Sequence, residues 1–124
     1  MTYVDGFVIA VPTEKKQAFI DHARAVDGVF MELGALRVFE CWGDDVPAGK
    51  VTDFARAVQA TGDETVAFSW IEWPDKAVRD AAMKAIQSNA AMMAEPMPFD
   101  GKRMIFGGFE VVVTLEAGQG DGAR

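Results

Sequence analysis

Apolar and polar positions change their spacing several times along the chain, and each change marks an element. Tyr3 to Val11 is rich in β-branched and aromatic residues, is broken only by Asp5 and Gly6, and stops at Pro12, as a strand would. Thr13 then offers an N-cap hydroxyl, and Glu14 places an acid in the first turn of a helix. Phe19, Ala23, Val26, Phe30 and Leu33 recur at spacings of three and four, one apolar helical stripe that Gly34 closes in the C′ position. Ala35 to Trp42 reads as a second strand. Gly43 to Asp63 is longer than an ordinary hairpin loop, and its residues predict an ordered arm against a partner subunit, with a short helix over Val51–Val58 capped by Thr52.

Glu64 to Trp73 predicts a third strand. Pro74-Asp75 opens a second long helix whose stripe is Val78, Ala82, Ala85, Ile86, Asn89 and Met93, with Pro96 and Pro98 as its stop. Asp100-Gly101 is a turn signal. Lys102 to Leu115 predicts the last strand, in which Gly107-Gly108 signals a bulge or a close backbone approach. The order β-α-β-β-α-β is that of the ferredoxin-like fold: an α+β domain, a four-stranded antiparallel sheet in the order 4-1-3-2, and both helices on one face.

Such a sheet should alternate apolar and polar residues if its second face met water. Strand three does not: Val66, Phe68 and Trp70 point one way, and Ala67, Ser69, Ile71 and Trp73 the other. Strand one behaves likewise, with Phe7, Ile9 and Val11 against Val4, Val8 and Ala10. A whole apolar sheet face exceeds what monomers expose, so the pattern predicts a homodimer that buries it.

Composition narrows the picture. The 124 residues suit one domain, expected over residues 1–116 with a disordered glycine-rich tail over 117–124. Nineteen acids against twelve bases give a net charge of −7, which repels phosphate backbones and anionic lipid, so neither nucleic acid nor a membrane is expected as a partner. The first residues carry no basic region, no apolar run approaches the ~18 residues of a membrane span, and the lone cysteine fits a reducing compartment. A cytoplasmic protein is expected. One Cys and one His cannot build a zinc site of the usual composition.

Four segments carry a resemblance. Glu40-Cys41-Trp42-Gly43-Asp44-Asp45-Val46-Pro47, Gly49-Lys50-Val51-Thr52-Asp53-Phe54, Phe68-Ser69-Trp70-Ile71-Glu72-Trp73-Pro74 and Pro98-Phe99-Asp100-Gly101-Lys102-Arg103-Met104-Ile105 occur in this order. Through them the chain, from about Tyr3 to Val113, resembles the YbaA-like family of small bacterial proteins, a domain of unknown function. The resemblance implies the dimeric α+β barrel, in which two ferredoxin-like sheets pack face to face, and it implies no activity. The wider superfamily includes cofactor-independent monooxygenases, haem-degrading enzymes and isomerases, an analogy of fold that does not settle function. The haem-degrading relatives would carry their ligand on the second helix, where this chain has no histidine, and no cofactor is expected.

Several side chains could carry chemistry. His22 falls on the flank of the first helical stripe and is the candidate catalytic residue, as a proton shuttle; the alternative is a histidine at the core margin with one hydrogen bond. Glu40, Trp42, Phe68 and Trp70 are the candidate ligand-binding residues of an apolar cleft between helices and sheet, with Met83, Met93 and Met97 as further lining; the alternative is plain core. Cys41 lies on the strand face opposite Glu40 and Trp42 and is either a nucleophile served by His22 or a small buried hydrophobe. Asp5, Arg37, Glu72 and Glu110 converge on one end of the sheet, as an ion-pair network or an acid/base pair, with Arg37 the natural partner of at least one acid. The expected function is therefore a homodimer that binds a small organic ligand in an apolar cleft, of cofactor-independent oxygenase or isomerase type. The alternative is a non-catalytic structural or binding dimer.

Overall fold

The two strands richest in β-branched and aromatic residues form the middle of the sheet. In the computed structural model, which describes residues 2–93 and 96–118, β1 (Tyr3–Pro12) and β3 (Glu64–Trp73) pair antiparallel along their full length, from Tyr3 opposite Trp73 to Pro12 opposite Glu64. The shorter β2 (Arg37–Trp42) and β4 (Ile105–Glu110) flank them, in the order β2-β3-β1-β4. All pairings are antiparallel. This is the α+β, ferredoxin-like arrangement that the element order predicts.

A 3-10 turn over Thr13–Lys15 leads into α1 (Lys16–Glu32). Thr13 does not cap it; its hydroxyl is bonded to that of Thr65, 2.7 Å away, and ties the turn to β3. At the other end Gly34 adopts φ +112°, a conformation open to glycine at little cost, and an added Cβ would stand 2.7 Å from Val78. Asp53, rather than Thr52, caps the short α2 (Phe54–Ala57), accepting from the Arg56 and Gly49 amides at 2.7 and 3.0 Å. Asp75 caps α3 (Lys76–Gln87) through the Val78 amide at 2.8 Å. The second long helix is not continuous to Met93. It ends at Ser88, and Asn89 accepts from the Met92 amide as the start of a separate turn, α4 (Ala90–Met93). An asparagine oxygen competes well for backbone donors, so Asn89 divides the stripe instead of extending it.

The strands present their odd and even positions to different surroundings. Ile9, Val11 and Ala67 close on Phe19 of α1, and Tyr3, Ile71 and Trp73 pack with Phe30, Leu33 and Ala82. Phe30 meets Trp73 edge-on, with ring centres 6.2 Å apart. The opposite face is covered at one end by the Gly43–Asp63 arm, whose Val58 is fully buried against Ala10 and Val66. The arm packs on its own sheet through Val58, while its Val51 and Phe54 side chains stay exposed. The rest of that face is bare, and Phe39, Phe68, Ile105 and Phe109 remain exposed there.

The four charged residues expected to converge are divided between the two faces. Arg37 bonds Glu72 at 2.8 Å on the bare face, where the Trp70 indole N–H also donates to Glu72 at 3.0 Å. Asp5 lies on the helix face, buried, and accepts from the Trp73 indole at 2.9 Å and from the Arg79 guanidinium at 2.8 to 3.2 Å. Glu110 is exposed at the sheet edge. Gly108 stands directly opposite Asp5, and a Cβ there would approach Arg79 Nη2 to 2.8 Å. The close approach, not a bulge, explains the glycine, since the β1–β4 register runs unbroken past it. β4 ends at Glu110, short of Leu115, with one further bond from the Val111 amide to the Thr2 carbonyl. The tail expected to be disordered lies outside the described residues from Gln119 onward.

Removing one partner of a buried, hydrogen-bonded ion pair strands the other. Asp5→Ala should therefore destabilise the domain by about 3–5 kcal/mol in urea unfolding, because it removes the buried partner of Arg79 and leaves the Trp73 N–H unpaired. Asp80→Ala, which removes exposed contacts with Arg79 and Lys76, should leave the unfolding midpoint close to that of the wild type.

Candidate functional site

Helix α1 lies over the sheet with Phe19, His22, Ala23, Val26, Asp27 and Phe30 turned toward it, a run of three- and four-residue steps that includes one histidine and one aspartate. Below them stand Phe7 and Ile9 of β1, Glu40 of β2, and Ser69 and Ile71 of β3. Met97, Phe99 and Met104, from the segment between α4 and β4, close the side. Together these residues enclose a cavity of about 200 Å3 that opens to solvent.

The segment bearing Phe99 is pinned by charge. Arg103 donates to both Glu64 oxygens at 2.8 and 2.7 Å, to Asp100 at 3.0 Å and to the Gln59 carbonyl at 2.8 Å. The guanidinium, with help from the Thr61 amide, holds the Glu64 carboxyl down at about 2. Phe99 in turn meets Phe19 and His22 edge-on, at ring-centre distances of 6.2 and 6.0 Å.

Three polar side chains converge inside. Glu40 and Ser69 are register partners across β2 and β3, so both side chains rise from the same part of the helix face. Asp27 comes down from α1 within hydrogen-bonding reach of the Glu40 carboxyl. Burial among protein atoms pushes the Glu40 carboxyl up, and the hydrogen bond to Asp27 and the Asp27 charge push it further, to about 9; the Ser69 hydroxyl pulls only weakly the other way. Glu40 still has exposed surface, because the cavity admits water to it while the surrounding chain displaces bulk solvent. Asp27 is also raised by burial, but the hydrogen bond from Glu40 and the charge of His22 hold it lower. At neutral pH the Glu40 carboxyl thus keeps its proton and stands as an acid beside the Asp27 carboxyl. Such a pair offers an acid and a base side by side.

The residues expected in this cleft are only partly brought together. His22 and Glu40 line it, His22 half-buried. Trp42 shares their face but packs on Phe19, ring centres 5.9 Å apart, under the Lys16 ammonium, and does not line the cavity. Phe68 and Trp70 are on the other side of the sheet. Their even register positions place them on the bare face, where Trp70 meets Phe39 at a tilt, ring centres 4.7 Å apart, and Phe68 meets Phe54 of the arm at 6.1 Å. Met97 lines the cavity and Met83 belongs to the core around Trp73; the Met93 side chain lies outside the described residues. Cys41 faces away from His22 across the sheet, so the two form no nucleophile–base pair. Among the described residues no three His, Cys, Asp or Glu side chains gather closely enough to hold a metal ion.

Asp27, Ser69 and Phe99 were not singled out from the sequence. The signal for Asp27 was available: it stands four residues after Ala23 and three before Phe30, an acid on the apolar stripe itself.

Fold and cavity define the class: a ferredoxin-like α+β domain with an acid pair held between its first helix and its sheet. The chain belongs to the family described as "Protein of unknown function (DUF1428)", whose model matches residues 2–101. It is 56% identical over 115 residues to the "Uncharacterized protein YbaA" of Escherichia coli K12, covering 91% of this chain and 98% of that one. The Shigella flexneri protein of the same name matches to the same extent. Among solved structures, a "dimeric ferredoxin-like protein" from an uncultured marine organism superimposes with a TM-score of 0.56 at 12% identity, covering 94% of this chain and 98% of that one. That likeness shows the fold. Among the described residues no helix is long and apolar enough to cross a membrane.

The proton on Glu40 has a measurable consequence. In the unfolded chain this carboxyl ionises near 4.5, and in the fold near 9. Its contribution is complete below the lower value and is lost as pH rises through the upper one, since the folded state there holds a proton that the unfolded chain has released. Urea unfolding should therefore show the wild type losing more stability between pH 5 and 9 than Glu40→Gln does. Parallel slopes for the two proteins would mean that Glu40 does not carry the proton.

Proposed function

We propose that two copies of this chain pair through the bare sheet face, and that each uses the α1–sheet cavity to bind a small organic molecule and move a proton on it, as an isomerase-type enzyme without a bound cofactor does. The observation that carries the catalytic half is the Asp27–Glu40 pair, two neighbouring carboxyls that face an apolar cavity beside His22, with the Glu40 carboxyl pushed up to about 9. Two neighbouring carboxyls with no Lys or Arg beside them among the described residues oppose folding by mutual repulsion, and perturbed acids in a cleft are characteristic of working sites. In the proposed step the Asp27 carboxylate takes a proton from a carbon next to a carbonyl as the Glu40 carboxyl gives its own to the carbonyl oxygen. The enol that results returns by the reverse transfers, or with the proton on another carbon. His22 resets the pair by exchanging protons with water at the cavity mouth.

The observation that supports the dimer is a groove of about 600 Å3 on the face away from the helices, lined by Val4, Val8, Phe68, Trp70, Ile105 and Phe109. Its walls are almost wholly apolar, and a second identical face would bury them.

Two experiments test these halves separately. Incubating the protein in D2O with small cyclic ketones should exchange their α-hydrogens faster than buffer alone, as seen by loss of proton NMR signals. Asp27→Asn and Glu40→Gln should each slow that exchange by about 100-fold or more. No enhanced exchange from an intact dimer would favour a binding or scaffolding role. Phe68→Lys should turn the dimer into a folded monomer in sedimentation, because the interface would have to bury an unpaired ammonium. A stable wild-type monomer at micromolar concentration would refute pairing.

A further inference from the structure

The walls of the cavity also restrict what can enter it. Its volume of about 200 Å3 is that of a single-ring guest, since a dry apolar cavity of about 150 Å3 takes a benzene. The polar groups gather on the β2–β3 side, where Glu40 and Ser69 stand opposite each other under Asp27. Toward β1 and β4 the lining is Phe7, Ile9, Phe99 and Met104, which can only pack. Among the described residues no lysine or arginine lines the cavity, and the titratable groups that do are His22, Asp27 and Glu40.

Building on the cavity as a ligand site, we propose that it admits a neutral single-ring molecule bearing a carbonyl or hydroxyl group and rejects the carboxylate of the same shape. A neutral carbonyl can accept from the Glu40 carboxyl or the Ser69 hydroxyl, and a neutral hydroxyl can donate to the Asp27 carboxylate, while the ring packs on the phenylalanines. A carboxylate would shed its hydration, meet the negative charge of the acid pair, and find no Lys or Arg to pair with. This cost is the same whatever the rest of the ring carries, so the cavity sorts by charge before it sorts by shape.

Benzamide and benzoate, which share size and outline but differ by one charge, are the probes. Affinities are measured by ligand-observed NMR titration at pH 8, above the range in which imidazole generally takes up a proton. Wild-type protein should bind benzamide about tenfold or more tightly than benzoate. Glu40→Gln leaves the Asp27 charge in place and should keep the preference. The double variant Asp27→Asn/Glu40→Gln removes the charge and should bring the two affinities within about threefold. Equal binding of the two probes by the wild type, or an undiminished preference in the double variant, would overturn the charge selection while leaving the cavity a ligand site. Failure of both probes to bind would remove the ligand site itself, and the selection with it.

Discussion

A sheet with two apolar faces has to be covered twice, and this chain covers itself once and a fraction more. α1 and α3 take the face that carries Ile9, Ile71 and Trp73. The Gly43–Asp63 arm lays Val58 over Ala10 and Val66 at one end of the other face. What remains uncovered is aromatic, and the rest of the molecule is arranged around that fact. The two central strands must be long and continuous to hold both faces. The edge strands can be short. The cavity that holds the acid pair lies on the helix side, while the other side carries the bare apolar groove.

On the helix side, α1 does not seal against the sheet. Its stripe contains one small residue, Ala23, and one acid, Asp27, between the rings of Phe19 and Phe30. The gap under them is the cavity, and the Asp27 carboxyl is tolerated on the apolar stripe because it meets water and the Glu40 carboxyl there. Local structure and chemistry thus share a cause: the residue that interrupts the packing of the helix is the one that carries the charge.

Much of the fold is legible in the residues alone. Hydrophobic periodicity, Pro74-Asp75 and Gly34 place the elements, and the double apolar character of β1 and β3 announces the uncovered face. The boundaries that fail do so where a side chain makes a competing bond that periodicity does not register: Thr13 to Thr65, Asn89 to Met92, Asp53 to Arg56. The site was half legible. His22 and Glu40 could be named, one from its flank position and one from its strand. Phe68 and Trp70 were assigned to the cleft on aromatic character, although their even register with Val66 already placed them on the other face. Asp27 was hidden because a stripe is read by its apolar members. The pairing of Asp27 with Glu40 needs the packing of α1 on β2, a contact between elements that no spacing within either one encodes.

The Arg103 clamp has a consequence for how this scaffold can change. It fastens the segment from Met97 to Met104 through Glu64, Asp100 and the Gln59 carbonyl, none of which lines the cavity. Anchor and wall are therefore separate parts. Met97, Phe99 and Met104 can be exchanged for larger or smaller side chains while the clamp keeps the loop in place, and the acid pair does not contribute to that anchorage. Across descendants of this domain, the shape of the cavity could be altered by substitution along one short loop while the acid pair beneath it stayed the same.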